Sequence, residues 1–158
     1  MPESEKELFM REAIRIAREG IQNGGGPFGA VIVKGGTIVG RGNNRVTAEL
    51  DPTAHAEIVA IREACRRFGS FRLEGCEVFA SCEPCPMCLG ALYWARVERL
   101  FFAAWRADAA EAGFDDDFIY REIPLSPEGR RLATTRLLRE EGLMAFADWR
   151  AKPDKVPY

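Results

Sequence analysis

The sequence predicts an α/β fold, a three-layer α/β/α sandwich in which helices flank a mixed sheet of four or five strands. Three observations predict it. Periodicity along the chain gives the element order α-β-β-α-β-α-β-(β)-α, with no repeats, linkers or low-complexity tracts. A glycine-turned hairpin comes early, and the later short apolar runs each adjoin a helical pattern. The 158 residues, 47% hydrophobic and 29% charged, suffice for one core without staples. Residues 1–158 are therefore expected to form a single domain, with 140–158 as a C-terminal helix and tail.

Ser4 and Glu7 have the spacing of a capping box, and Leu8, Ile14, Ala17 and Ile21 recur at helical spacing up to the "NGGGP" break. "PFGAVIVKGGTIVGRG" reads as the hairpin: strand Phe28–Val33, turn Lys34-Gly35-Gly36, strand Thr37–Gly40. Asp51-Pro52 is expected to open a helix reaching Phe68, with Ile58, Ile61, Cys65 and Phe68 as its apolar stripe. "CEVFAS" reads as a buried strand, Pro84 as the start of a helix to Arg96, and "VERLFFAA" as the next strand. Residues 107–127 mix acidic, aromatic and Gly/Pro residues and read mostly as loop. "RLATTRLL" has the pattern of a last strand. "EEGLMAFADWRAK" is a helix with Leu143, Phe146 and Trp149 on one face, before the tail "PDKVPY".

The 24 acidic and 22 basic residues leave a net charge of −2, so the chain lacks a global handle for a phosphate backbone. No basic region followed by an apolar one opens the sequence, and no apolar run reaches a membrane span. A cytoplasmic protein is expected. Five cysteines, three of them clustered, then point to metal or catalysis over a disulfide framework. The single histidine gains weight accordingly.

That histidine stands in "HAE". Successive helical residues advance by about 100°, so His55 and Glu57 diverge by roughly 200° and cannot both clamp one ion well. One ligand with a carboxylate beside its metal is the better reading, and Glu57 becomes the candidate for proton work. In "SCEPCPMC", Cys85 and Cys88 are three apart at a helix start, where their sulfurs share a face and the helix end favours thiolates. Cys82 precedes Pro84 on the strand side. With Cys82, the set His55, Cys85 and Cys88 would close a structural Cys3His site; without it, one tetrahedral position stays open for water. Thiolate and imidazole donors select zinc over magnesium or calcium.

H-x-E followed by P-C-x-x-C is the signature of the zinc deaminases. "DPTAHAEIVAIREA" and "SCEPCPMCLGALYWAR" resemble the cytidine deaminase superfamily in its purine-acting branch. With "GGPFGAVIVK", "DAAEAGFDDDFIYREI" and a terminal tyrosine, the sequence resembles the bacterial guanine deaminases most closely, from Gly25 to about Ile123. The resemblance implies the cytidine deaminase-like fold and one zinc per subunit on His55, Cys85 and Cys88, with Glu57 as proton shuttle. Cys82 occupies a position where family members often carry another residue. By the same resemblance, Asn44, Phe28, Asp116 and Tyr158 contact the substrate, and Tyr158 reaches the active site of a dimer partner on a swapped C-terminal segment. Asn44 also sits in "GNN", a good turn sequence, and Asp115 and Asp117 flank Asp116 in one acidic run.

The implied activity is hydrolytic deamination of guanine to xanthine and ammonia, in a homodimer with a small purine substrate and neither membrane nor nucleic-acid partner. The enzyme rival is a tRNA adenosine deaminase, for which Arg130, Arg131, Arg136 and Arg139 offer some basic surface that Glu128, Glu140 and Glu141 dilute. Nucleosides or other amino-heterocycles such as ammeline are further alternatives. The rival outside enzymes is a zinc scaffold using all three clustered cysteines.

Overall fold

The structure, a computed structural model, describes residues 3–158. Two compact units divide the chain, Met1–Asp117 and Phe118–Tyr158. The first contains α1 (Glu3–Gln22), β1 (Gly29–Lys34), β2 (Thr37–Asn43), α2 (Val46–Glu49), α3 (Ala56–Phe68), β3 (Cys76–Cys82), α4 (Pro86–Trp94), β4 (Arg99–Ala104) and α5 (Arg106–Glu111). The strands form one sheet in the order β2-β1-β3-β4; β3 and β4 run parallel and the other pairs antiparallel. The expected mixed sheet is present with four strands. No helix among the described residues is long and apolar enough to cross a membrane.

Successive side chains of a strand point to opposite faces, and β1 is buried on both. Val31 and Val33 join Ala13 and Phe79 under α1, while Ala30 and Ile32 join Ala56, Ala60, Ala64, Val78 and Leu92 under α3 and α4. That makes the three layers. Helices lie close to the sheet because small residues meet: a Cβ on Gly42 would fall 2.1 Å from the Ala56 carbonyl oxygen, and one on Gly29 would fall 2.2 Å from that of Ala13. Backbone cannot yield as a flexible side chain does. Gly42→Ala is therefore expected to destabilise the fold by about 3 kcal/mol, read as a lowered denaturant midpoint at unchanged slope.

Several expectations need correction. The buried face of α1 is Phe9, Met10, Ala13, Ile16 and Ala17, whereas Leu8 and Ile21 are 61% and 53% exposed. Both series have helical spacing; the close approach at Gly29, which only Ala13 and Ala17 permit, selects between them. Ser4 lies inside α1 and forms no cap, and Glu7 pairs with Arg11 instead. The helix after Asp51-Pro52 starts only at Ala56, because the Asp51 carboxylate accepts the N–H and hydroxyl of Thr53 and closes a turn. Its core face is Ala56, Ala60 and Ala64; Ile61 and Cys65 sit at the margin and Phe68 is exposed. Pro84 precedes α4, which Pro86 begins. Residues 107–127 hold two short helices, α5 and α6 (Asp117–Glu122), and "RLATTRLL" is not a strand.

In the second unit, Arg130 donates to the carbonyls of Glu122, Ile123 and Leu125 and so satisfies the end of α6. α7 (Arg139–Ala151) is the expected helix, and all of its residues are exposed, Leu143, Met144, Phe146 and Trp149 included.

Candidate active site and metal centre

Strand ends and helix starts build the site. β3 leads through Glu83-Pro84 directly into α4, whereas β2 reaches α3 through α2 and the turn at residues 50–55. His55 is the N-cap residue of α3 and Cys85 that of α4. Both sit in extended backbone, and Cys85 does what a serine or aspartate does at such a place: its sulfur accepts the N–H of Cys88, at 3.5 Å. His55 therefore precedes the first turn it was expected to occupy, while Glu57 lies within that turn.

The ligand-type atoms of His55, Cys85 and Cys88 all lie within 4.8 Å of one another, the one such group among the described residues. His55 Nδ1 and Cys85 Sγ are 3.5 Å apart. Ordinary zinc–nitrogen and zinc–sulfur bonds at a tetrahedral angle put two such donors roughly 3.6 Å apart, so the geometry and the donor chemistry both fit zinc. The Cys88 thiol and His55 hold the Cys85 thiol down at about 4, while the same hydrogen bond and burial push Cys88 up. Cys85 in turn pushes His55 up. The two sulfurs are thus hydrogen-bonded to each other within the cluster.

Cys82 stays outside. Paired in register with Ala104, it points its thiol at the Trp105 carbonyl, 3.6 Å away, and burial pushes it up to about 11. Pleat direction separates it from the two cysteines of α4, leaving three protein donors. Cys82→Ala is expected to leave zinc at one per chain, measured by atomic absorption after dialysis; a halved zinc content would restore Cys82 as a ligand.

Glu57 is 7% exposed, and burial raises its pKa from the usual carboxylate range; its carboxyl meets the Cys88 thiol. A buried carboxyl beside the ligands, itself not one of them, is suited to holding and passing a proton. Asn44, 8% exposed, follows β2 directly; its N–H donates to the Phe28 carbonyl and its Oδ1 accepts from the Val46 N–H, each at 3.1 Å. Its side chain thus serves the turn that the sequence "GNN" predicts. The Phe28 ring packs on the core below α3 and meets Phe114 edge-on at 5.0 Å. That contact ties down the loop carrying Asp116, whose charge acts on His55 and Cys85 and whose pKa is raised by partial burial. Asp115 accepts the Asp117 N–H at 3.0 Å. Tyr158 belongs to the second unit and is exposed.

Sequence reasoning missed three supports of this site. Phe114 anchors the acidic loop; Glu83 accepts the Arg106 N–H at 3.1 Å; and Arg106 lowers the Asp116 pKa against burial. No spacing marks them: pairing of β3 with β4 brings Glu83 to Arg106, and a ring contact with Phe28 places Phe114.

Comparison with known proteins agrees with this geometry. The profile of the cytidine and deoxycytidylate deaminase zinc-binding region matches residues 3–104. A guanine deaminase of Bacillus subtilis is 52% identical over 153 residues, 96% of this chain and 98% of that protein. The crystal structure of guanine deaminase from Bacillus subtilis superposes with a TM-score of 0.95 at 50% identity, covering 100% of this chain and 99% of the other. A tRNA-specific adenosine deaminase of Aquifex aeolicus is 48% identical over 99 residues, 63% of this chain and 66% of that protein. The chain belongs to the cytidine and deoxycytidylate deaminase zinc-binding family.

Proposed function

We propose that this protein is a zinc-dependent guanine deaminase, hydrolysing guanine to xanthine and ammonia in purine breakdown. The observation that carries the reading is a buried Glu57 beside the His55–Cys85–Cys88 cluster, in a chain that matches a guanine deaminase along nearly all of both lengths. The tRNA-specific relative matches a shorter stretch, and the net charge of −2 gives no general grip on RNA.

His55, Cys85 and Cys88 would hold the zinc. Zinc when bound supplies a Lewis acid that brings the pKa of water towards about 7. Water adds at C2 of the purine, the C2–N bond breaks, and the amino group leaves as ammonia. Glu57 accepts one proton from water and delivers it to the adjacent ring nitrogen, then takes the second from the hydroxyl added at C2 and delivers it to the departing amine. Asn44 offers its amide N–H to a purine acceptor, its oxygen already accepting the Val46 N–H through one of its two lone pairs. Asp116 accepts from purine N–H donors, and Phe28 lies beside the base.

The working form is a homodimer in which residues 140–158 cross to the second copy and bring Tyr158 to its site. Support comes from α7, whose exposed Leu143, Met144, Phe146 and Trp149 require a partner surface. Five unpaired cysteines, two of them ligands, suit the reducing cytoplasm.

A substrate panel tests the reading. Zinc-loaded protein is given guanine, guanosine, adenine, cytosine and a tRNA, and ammonia is measured. Release from guanine at the highest kcat/KM is expected; salt-sensitive release from the tRNA with none from guanine would transfer the protein to the tRNA branch.

A further inference from the structure

Resting on the deaminase reading above, we infer that Gly26 is a positioning residue for substrate recognition: its bare Cα lets the Asn44 amide lie against it and sets where Asn44 aims its N–H donor. Gly26 belongs to the segment between α1 and β1, for which neither the fold nor the metal centre gives a role.

That segment is stitched to the turn carrying Asn44. The Thr47 hydroxyl donates to the Gly24 carbonyl at 2.6 Å and the Asn44 N–H to the Phe28 carbonyl at 3.1 Å, while the Gly25 N–H, donating to the Gly20 carbonyl at 2.8 Å, ties the segment to the end of α1. On the other side, the Arg45 N–H donates to the Ala54 carbonyl at 2.9 Å, one residue before the ligand His55. Asn44 is thus held between residues 24–28 and the approach to the metal centre.

Its side chain is oriented from two directions. A backbone N–H must meet an acceptor, so the bond from Val46 assigns the oxygen and leaves the nitrogen as the group offered to a ligand. Gly26 supplies the second constraint. A Cβ there would fall 3.2 Å from Asn44 Cγ and 3.3 Å from Oδ1, inside ordinary contact, so the amide would have to move by a few tenths of an ångström. Gly26 is not among the glycines with positive φ, so the backbone accepts alanine; closeness to the amide is what alanine would disturb. Gly25 differs, because a Cβ there would fall 2.2 Å from the Asn44 backbone oxygen and would break the segment itself. Gly26 is the position that moves the amide and spares the backbone.

Calorimetric binding of 8-azaguanine, an isostere of guanine, to zinc-loaded protein tests this in a Glu57→Gln background, where the ligand is not consumed. Gly26→Ala is expected to weaken binding about fivefold, and Asn44→Ala about tenfold or more, the scale of a weakened and a lost hydrogen bond. The double variant should bind as Asn44→Ala alone does, because alanine at 44 has no amide to displace. Thr47→Val, which releases Gly24 without adding bulk, should weaken binding about threefold only while Asn44 is present. A Gly26→Ala protein that binds like its parent overturns the inference, as does a loss that adds in full to that of Asn44→Ala. If the parent itself fails to bind 8-azaguanine, the guanine reading falls and the inference with it.

Discussion

Zinc-loaded Glu57→Gln is expected to turn guanine over about a thousand to ten thousand times more slowly than the parent while holding the same one zinc per chain. Glu57 is nine-tenths buried at the first turn of α3, and its carboxyl reaches the Cys88 thiol without joining the ligand cluster. Glutamine keeps the shape of the side chain and its packing but cannot take a proton from water or return one to the amine. The loss should appear in kcat, with the affinity for 8-azaguanine held within about threefold, because removal of a group that acts on the reacting atoms costs turnover more than binding. Zinc loss in this variant would make Glu57 a ligand; near-normal turnover would remove it from the chemistry.

Cys88→Ala should have the larger structural effect. Cys88 is fully buried, its backbone N–H caps on Cys85 Sγ, and its sulfur is one of only three protein donors. A zinc ion on two donors is held far more weakly than on three, so zinc content should fall to near zero after dialysis and activity with it. A ligand that binds only the folded state raises its stability by mass action. Added zinc should therefore raise the melting temperature of the zinc-free parent and leave that of Cys88→Ala unmoved. Zinc uptake by the variant equal to the parent's would contradict the assigned cluster.

Much of the site is legible from residue types because metal and proton chemistry admits few substitutes. A lone histidine, a carboxylate two residues on and two cysteines three apart already mark the cluster that could hold a metal ion and the buried carboxyl beside it. The hairpin, β3 and β4 are legible because their apolar runs are short and bounded by glycine or proline. Legibility ends where tertiary contact chooses between equal local patterns. Leu8, Ile14 and Ile21 have helical spacing as good as that of Phe9, Ala13 and Ile16, and only the bare surface of Gly29 selects the second set. α3 starts four residues later than Asp51-Pro52 implies because Asp51 bonds to Thr53 and closes a turn there. Glu83 and Arg106 meet through the pairing of β3 with β4 and Phe114 through the ring of Phe28, contacts that leave no mark on spacing.

Deamination of guanine in water enriched in oxygen-18, followed by mass spectrometry, tests the central claim most directly. Hydrolysis at C2 predicts xanthine carrying one heavy oxygen and one equivalent of ammonia per guanine consumed, with both products abolished by zinc removal and restored by zinc. Guanine recovered unchanged from fully zinc-loaded protein, or xanthine without the heavy oxygen, would contradict it.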